Sequence, residues 1–236
     1  MYIIEIIETL MNFGLTRQEA NIYVLLLSEG ELNGYEVSKL TGISRSNAYS
    51  CLASIVEKGG AYIIEGSAVK YTPVSVDEFC QNKIRTLQRS KEELIKNMPG
   101  RRDESDGYIT IKSEKHIIDK VKNMILDAKE RVYLSIGSQR LVQIKDELKV
   151  LKERDIKVVI ITDKNIDFDY AQVYYTSKNP DQIGIIVDSK YVLTGDIKDK
   201  KTSTCLYSGN NNLVEVFKQS LTNEIKLIEI NKEKGE

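Results

Sequence analysis

The sequence is poor in cysteine and histidine, and it has no excess of positive charge. Its 236 residues include one histidine and three cysteines, Cys51, Cys80 and Cys205. The cysteines are far apart, odd in number and form no Cys-x-x-Cys pair, which favours neither a zinc site nor a disulfide framework. The formal net charge of −1 means that no overall positive field indicates a polyanionic partner. We therefore expect free thiols, no metal and no cofactor.

Long hydrophobic runs are also missing. No apolar stretch approaches the roughly 20 residues that a membrane-spanning helix needs. The opening segment MYIIEIIETLMNFG is interrupted by Glu5 and Glu8, so it predicts an amphipathic helix and not a signal peptide. Both absences predict a cytoplasmic protein with no membrane partner. The chain is long enough for one large domain or two small ones.

Residues 1–75 show the pattern helix, helix, helix-turn-helix and short hairpin. Thr16 and Glu19 have the spacing of a capping box, and an apolar stripe at helical spacing follows them. Two further helices are each followed by glycine, which commonly ends a helix. The segment AYIIEGSAVKYTPV then predicts two strands around a turn at residues 65–67.

Residues 76–105 predict one long helix followed by a polar break. Written as heptads, the helix carries an apolar seam at Cys80, Ile84, Leu87, Leu94 and Met98. Asp77 and Lys91 interrupt this seam, so the pattern fits either a weak coiled coil or a helix lying on a neighbouring domain. The segment PGRRDESD indicates a domain boundary.

Residues 106–236 alternate between strand and helix patterns. The strand segments are YITI, RVYLSI, IKVVIIT, QVYYTS, the hairpin-like QIGIIVDSKYVLTGD, and STCLYS. Three helices are predicted from SEKHIIDKVKNMILDAKE, RLVQIKDELKVLKERD and NLVEVFKQSLTNEIKLI. This alternation predicts an α/β sheet covered by helices, and the apolar IKVVIIT is typical of a strand buried on both faces.

The helix in SRSNAYSCLASIVEKGG has an unusual polar side. On a helical wheel its apolar residues fall on one arc, and the opposite side carries Ser46, Asn47, Ser50 and Ser54. Such small side chains let a helix backbone approach a surface closely, and the major groove of DNA, about 12 Å wide, is such a surface. The preceding turn LTGIS contains the glycine of a helix-turn-helix.

These features predict a DNA-contacting surface on the helix and the hairpin. Its residues are Ser44, Arg45, Ser46, Asn47, Tyr49, Ser50, Ser67 and Lys70. We expect Ser44 to cap the helix, whose first-turn N–H groups suit a phosphate. Arg45 occupies the first turn of the helix, where helix-turn-helix proteins place residues that contact bases and the DNA backbone. We expect the Tyr49 hydroxyl to donate a hydrogen bond to a phosphate. Ser67 and Lys70 would reach an adjacent stretch of backbone from the hairpin.

Charge counts against this interpretation. Residues 1–75 contain five basic residues against eight acidic ones. Four of the five lie between Lys39 and Lys70, so the cations are concentrated on the predicted surface. If the polar side of the helix does not contact DNA, it is a solvated face or a surface that binds a protein partner.

The first third of the chain resembles the TrmB family of transcriptional regulators. The resemblance extends from LTRQEANIYVLLLSEG through SKLTGISRSNAYSCLASIVEKGG and loosely to KYTPVSVDEF. The matching residues are Leu15, Thr16, Glu19, Ala20, Gly42, Arg45, Tyr49, Leu52, Lys58 and Gly59. The resemblance implies a winged helix that binds double-stranded DNA.

The second half resembles the phospholipase D-like domain that several of these regulators carry. If Asp188 ends the catalytic motif of that superfamily, Asp181 stands at the position of its histidine and Ile183 at that of its lysine. That histidine is the nucleophile on phosphorus, and the one histidine here, His116, lies on a predicted helix. The resemblance therefore implies an inert domain.

The combined interpretation is an α+β protein with three parts. Residues 1–75 form a winged helix-turn-helix, residues 76–105 a helical linker, and residues 106–236 a phospholipase D-like α/β domain. We expect a dimeric DNA-binding regulator that is not an enzyme, with a small-molecule effector of unknown identity. The alternatives are a winged-helix protein-interaction module and a degenerate phosphodiesterase.

Overall fold

The computed structural model describes residues 2–66, 68–99, 107–164, 168–177, 179–198 and 202–233. The chain forms two compact units, residues 1–100 and 101–236. The predicted α+β class is confirmed, because a winged helix and a long helix precede a mixed sheet covered by helices. Most of the predicted break after Pro99 lies outside the described residues.

The first unit begins with four helices joined by short turns. They are α1 (Tyr2–Asn12), α2 (Arg17–Glu29), α3 (Gly34–Thr41) and α4 (Arg45–Glu57). Capping boxes start α2 and α3: Thr16 and Glu19 exchange hydrogen bonds at one helix, and Asn33 and Glu36 do so at the other. Gly42 ends α3 with a left-handed backbone, which glycine adopts without steric cost.

A hairpin and a long helix complete the first unit. Strands β1 (Ala61–Ile64) and β2 (Lys70–Pro73) pair antiparallel, and α5 (Val76–Asn97) follows. The core lies between α1, α2, α4, the hairpin and the start of α5, where Phe79 packs 5.4 Å from the buried Tyr23 ring. The Tyr23 hydroxyl donates to the Val74 carbonyl at 2.8 Å, which fixes the point where α5 begins.

The second unit is built on a seven-stranded mixed sheet. Its strands are β3 (Ile109–Lys112), β4 (Arg131–Ile136), β5 (Lys157–Thr162), β6 (Gln172–Tyr175), β7 (Gln182–Val187), β8 (Tyr191–Asp196) and β9 (Thr204–Ser208). Their order is β3-β9-β8-β7-β4-β5-β6, and only the β4–β5 and β5–β6 pairs are parallel.

Helices cover both faces of this sheet. They are α6 (Glu114–Asp127), α7 (Ser138–Leu141), α8 (Lys145–Glu153) and α9 (Asn211–Glu233). Helices α6, α7 and α8 pack on one face, and α9 packs on the other. In β5, Val158 points to the first face and Val159 to the second, which confirms the prediction of a strand buried on both sides.

One predicted helix is broken. The segment from Arg140 to Asp155 was expected to be continuous, but a 3-10 turn (Val142–Ile144) separates α7 from α8. The backbone leaves helical geometry at Ile144, with φ −117° and ψ 11°. The tighter turn keeps Leu141 and Ile144, three residues apart, on the buried side.

None of the described helices is both long and apolar enough to cross a bilayer. In the same part of the chain, no three His, Cys, Asp or Glu side chains are arranged to hold a metal ion. The three cysteines are unpaired, and burial raises the pKa of the Cys205 thiol to about 12.

Candidate nucleic-acid interface

The candidate recognition helix is α4, which is anchored by its apolar side. Ala48, Leu52 and Ile55 are fully buried in the core of the first unit. Anchoring these residues turns the opposite side of the helix outward. All six predicted contact residues on this helix and its cap are exposed: Ser44, Arg45, Ser46, Asn47, Tyr49 and Ser50.

The polar side is shorter than the sequence suggested. Ser54 was expected to share it, but Ser54 is half-buried and hydrogen-bonds to Glu19. The exposed serine and asparagine side chains are therefore confined to the first two turns of α4, and Glu57 is exposed at its end. The first turns of a helix-turn-helix recognition helix contact base edges.

The N-terminus of α4 has features that favour binding of an anion. Ser44 caps the helix, and its hydroxyl oxygen accepts a hydrogen bond from the Asn47 N–H at 3.3 Å. No acidic residue occupies the first turn. The positive end of the helix dipole therefore faces outward without a carboxylate beside it, which favours an anion such as a phosphate.

Arg45 is held in place by an aromatic ring that the sequence analysis missed. The guanidinium carbon lies 4.6 Å from the ring centroid of Tyr35, on the first turn of α3. Cation–π contact with an exposed tyrosine limits the conformations of a flexible arginine. The sequence signal was available, since Tyr35 is a large aromatic residue at the start of the helix preceding the turn.

Tyr49 packs on the backbone of α3. A Cβ atom added to Gly34 would lie 2.5 Å from Cε1 of the Tyr49 ring, so the absence of a side chain at Gly34 lets the ring approach. The ring remains partly exposed at the surface. Gly34 therefore sets the direction in which Tyr49 presents its hydroxyl.

The hairpin of β1 and β2 is the wing of the winged helix, and one of its two predicted contact residues lies among the described residues. Lys70 lies on β2 opposite Ile64 and is half-buried, while Ser67 lies outside the described residues. The exposed Tyr62 on β1 donates its hydroxyl to Glu78 of α5 at 3.0 Å. This hydrogen bond raises the pKa of Tyr62 and connects the wing to the start of the long helix.

A buried ion pair fixes the far end of α4. Lys58, the C-cap of α4, lies 2.6 Å from Glu19 of α2, and the Glu19 side chain is only 7% exposed. Burial raises the pKa of Glu19, but hydrogen bonds from Lys58, the Thr16 N–H and Ser54 outweigh it and lower the pKa to about 2. Thr16, Glu19 and Lys58 are among the residues that resemble the family, and this contact gives them a structural role.

The predicted seam on α5 divides into two parts. Cys80 is half-buried and packs against the core of the same unit. The remaining seam residues are exposed: Ile84 47%, Leu87 64%, Leu94 60% and Met98 63%. They form an apolar stripe on a helix that is otherwise strongly charged.

Asp188, the predicted end of the motif, has a structural role in the second unit. Asp188, in the β7–β8 turn with φ 52°, accepts the backbone N–H groups of Lys129, Glu130 and Arg131 at 2.8 to 3.0 Å. Burial raises the pKa of Asp188, but these three bonds outweigh it and lower the pKa. The residue therefore tethers the loop between α6 and β4.

The other two predicted motif positions lie in different surroundings. Ile183 is 2% exposed inside the core, and Asp181 lies 3.7 Å from the guanidinium of Arg140. Neither side chain supplies a nucleophilic imidazole or a phosphate-binding ammonium group. His116 is exposed on α6, a different element.

Family comparisons match both units. The family described as "Sugar-specific transcriptional regulator TrmB" matches residues 10–77. The family described as "Transcriptional regulator TrmB, EBD N-terminal subdomain" matches residues 107–225, which is half of the chain. Both descriptions refer to one family of regulators.

Two curated relatives are similar over most of this chain. YrhO, an uncharacterized protein of Bacillus subtilis strain 168, is 31% identical over 171 residues, which are 71% of this chain and 62% of YrhO. TrmBL1 of Pyrococcus furiosus, an HTH-type sugar sensing transcriptional regulator, is 26% identical over 74% of this chain and 51% of TrmBL1. The match thus spans less than two thirds of either relative.

Solved structures show more distant likenesses. TrmBL2, described as an archaeal chromatin protein, aligns over 96% of this chain and 99% of its own, with 21% identity and a TM-score of 0.47. NucT from Helicobacter pylori aligns over 51% of this chain and 96% of its own, with 18% identity and a TM-score of 0.44. The family matches over both units show that this chain belongs to the TrmB family of transcriptional regulators.

Proposed function

We propose that the protein is a sequence-specific, double-stranded-DNA-binding transcriptional regulator that acts as a homodimer. The observation that carries the proposal is the first two turns of α4, where an exposed polar surface surrounds Arg45. The helix start lacks a carboxylate, and Tyr35 restrains the arginine. This arrangement suits insertion into a major groove, with Arg45 able to make a bidentate contact to guanine.

The contact residues have separate roles in this proposal. Arg45, Ser46, Asn47 and Ser50 face base edges, because they occupy the exposed side of the inserted turns. Ser44 and Tyr49 contact phosphate, together with Ser67 and Lys70 of the wing. Phosphate contacts position the protein, while base contacts confer specificity.

The exposed stripe on α5 supports a dimer. Three large apolar side chains on one side of a charged helix, with Met98 at its C-cap, form a stripe that Lys91 interrupts, and grouped apolar side chains mark an interaction surface more often than scattered ones do. A second copy of α5 presents the same stripe, so the pairing is self-complementary. Two linked winged helices bind adjacent half-sites with a gain in effective concentration.

The second unit serves regulation and dimerisation rather than catalysis. Asp181 and Ile183 replace the groups on which phosphodiester cleavage depends, so we expect no turnover of a generic phosphodiester substrate. We place the protein in the cytoplasm, where a small-molecule effector would change the spacing of the two winged helices. Turnover that disappears with His116→Ala would contradict the non-enzymatic assignment.

Selection of bound fragments from the host genome tests the proposal. We expect a recovered palindrome, whose half-sites reflect the two-fold symmetry of a dimer. Fluorescence anisotropy on this site should give log affinity that falls linearly with log salt, because phosphate contacts release counterions. Failure to enrich any sequence, together with capture of a protein through the α4 surface, would favour the protein-interaction alternative.

A further inference from the structure

The second unit contains an open cavity of about 410 Å³ beside the tethered loop. Helix α6, the loop after it, the β7–β8 turn and β9 contribute to its wall. Three lysines, two tyrosines and two aspartates are among the side chains that line it. The volume lies in the range of small-molecule sites.

Three lysines converge on this cavity from separate elements. Lys120 comes from α6, Lys129 from the following loop and Lys190 from the β7–β8 turn. In the described part of the chain, no carboxylate lies within 4.0 Å of their ammonium groups. Like charges brought together create a positive potential that attracts an anion.

The two carboxylates of the cavity offset this potential only in part. Both oxygens of Asp188 accept backbone N–H groups, and these bonds hold the loop carrying Lys129 against the turn carrying Lys190. Asp127 is exposed at the end of α6, and backbone hydrogen bonds do not remove the charge of Asp188, so three ammonium groups against two carboxylates leave one excess positive charge. The tether therefore serves to assemble the basic side of the cavity.

The aromatic side offers a flat surface. The Tyr191 ring stacks nearly parallel to the Tyr207 ring, at 14° and 5.9 Å between centroids. Tyr207 is buried and has the Lys120 ammonium 3.9 Å from its centroid, which keeps that charge at the cavity wall. Tyr191 remains 39% exposed between Tyr207 and Gly209, and this exposed part of the residue is the surface on which a planar ligand would stack.

We propose that this cavity binds a free nucleotide, with its base on Tyr191 and its phosphates on Lys129 and Lys190. Stacking on an aromatic side chain tolerates any base, whereas the lysines require phosphate. The end of a DNA strand also carries a base and a phosphate, so the experiment must distinguish a free nucleotide from a DNA end. The proposal does not depend on DNA binding by the first unit.

Calorimetric titration of the full chain with ADP tests the proposal. Adenosine and inorganic pyrophosphate each supply half of the ligand chemistry, and we expect both to bind at least about tenfold more weakly than ADP. Replacing Tyr191 by leucine should weaken ADP binding and leave pyrophosphate unchanged. The pair Lys129→Gln and Lys190→Gln should weaken both phosphate ligands by about tenfold or more.

A matched control makes the same charge change elsewhere in the unit. Lys149→Gln with Lys218→Gln removes two exposed lysines outside the cavity, and ADP affinity should stay within about twofold of the parent. Circular dichroism and thermal midpoints establish that each variant is folded. Hydrogen exchange of the parent supplies a second measurement, in which ADP should protect the loop after α6 and the β7–β8 turn.

Specific outcomes overturn the proposal. Absence of ADP binding at about 1 mM would do so, as would binding that is unchanged in both cavity variants. If the variants fail to fold, hydrogen exchange of the parent decides: protection by ADP that is confined to regions other than the loop after α6 and the β7–β8 turn would contradict the proposal. A fall in operator affinity caused by the cavity lysine pair, without any ADP binding by the parent, would assign those lysines to DNA and not to a free nucleotide.

Discussion

Replacing Glu19 by glutamine should destabilise the first unit strongly. The carboxylate accepts hydrogen bonds from Lys58 and from the Thr16 N–H, and its pKa of about 2 compares with 4.5 for the free side chain. At 1.36 kcal/mol per pKa unit, this shift corresponds to about 3 kcal/mol of folding free energy at neutral pH. Glutamine also leaves the partly buried Lys58 ammonium without a counter-charge.

The pH dependence of this loss follows from the lowered pKa. A carboxyl whose folded pKa lies below its unfolded value stabilises the protein fully above about pH 4.5, and this contribution is lost as pH falls toward 2. The difference in unfolding free energy between parent and Glu19→Gln should therefore be about 3 kcal/mol at pH 7 and shrink between pH 4.5 and 2. Urea unfolding followed by amide NMR signals of α2 and α4 measures the first unit alone.

A second ion pair provides a control at the same distance. Lys152 and Asp169 also lie 2.6 Å apart, but their side chains are 52% and 70% exposed. Asp169→Asn should change the stability of the second unit little, as followed by amide signals of that unit, because exposed pairs are screened by water. A small effect of Glu19→Gln, or a difference that persists at pH 2, would refute the reasoning. Adding Lys58→Met to Glu19→Gln should recover part of the loss, since it removes the unpaired charge.

Three further predictions concern the interface, the dimer and the tethered loop. Arg45→Ala should weaken binding to the selected operator by about 1–3 kcal/mol, measured by anisotropy, and equal affinity would remove Arg45 from base recognition. Leu87→Lys with Leu94→Lys should cost the dimer several kcal/mol by burying unpaired charges; light scattering of a monomeric parent would refute the dimer, and an unaffected dimer would remove α5 from its interface. Asp188→Ala should destabilise the second unit by about 1–3 kcal/mol in urea, because three backbone donors lose their acceptor; unchanged stability would contradict the tether.

Local signals were sufficient for the elements that surround the candidate interface. Thr16 and Glu19 lie within one helical turn, so their spacing alone predicted a capping box that the structure contains. The hairpin and the broad alternation of the second unit were predicted in the same way. The break at Ile144 was missed, because a 3-10 turn keeps apolar residues on the same side as a continuous helix would.

The contacts that shape the interface could not be predicted from spacing. Ser54 fits an exposed polar side on a helical wheel, yet it faces Glu19, a residue of a different helix. The ring of Tyr35 beneath Arg45 depends on how α3 crosses α4. A wheel places residues around one helix axis and contains no information about the neighbouring helix.

By itself the sequence determined the α+β class and the caps and apolar sides of the helices, and it predicted that Asp181 and Ile183 stand where a catalytic histidine and lysine would. These features depend on residue type and on neighbours within one or two turns. Only the tertiary structure decided that Glu19 pairs with Lys58, 39 residues away, and that Asp188 holds a loop more than 50 residues before it. Such contacts form when packing brings distant segments together, and burial then strengthens an ion pair that water would otherwise screen.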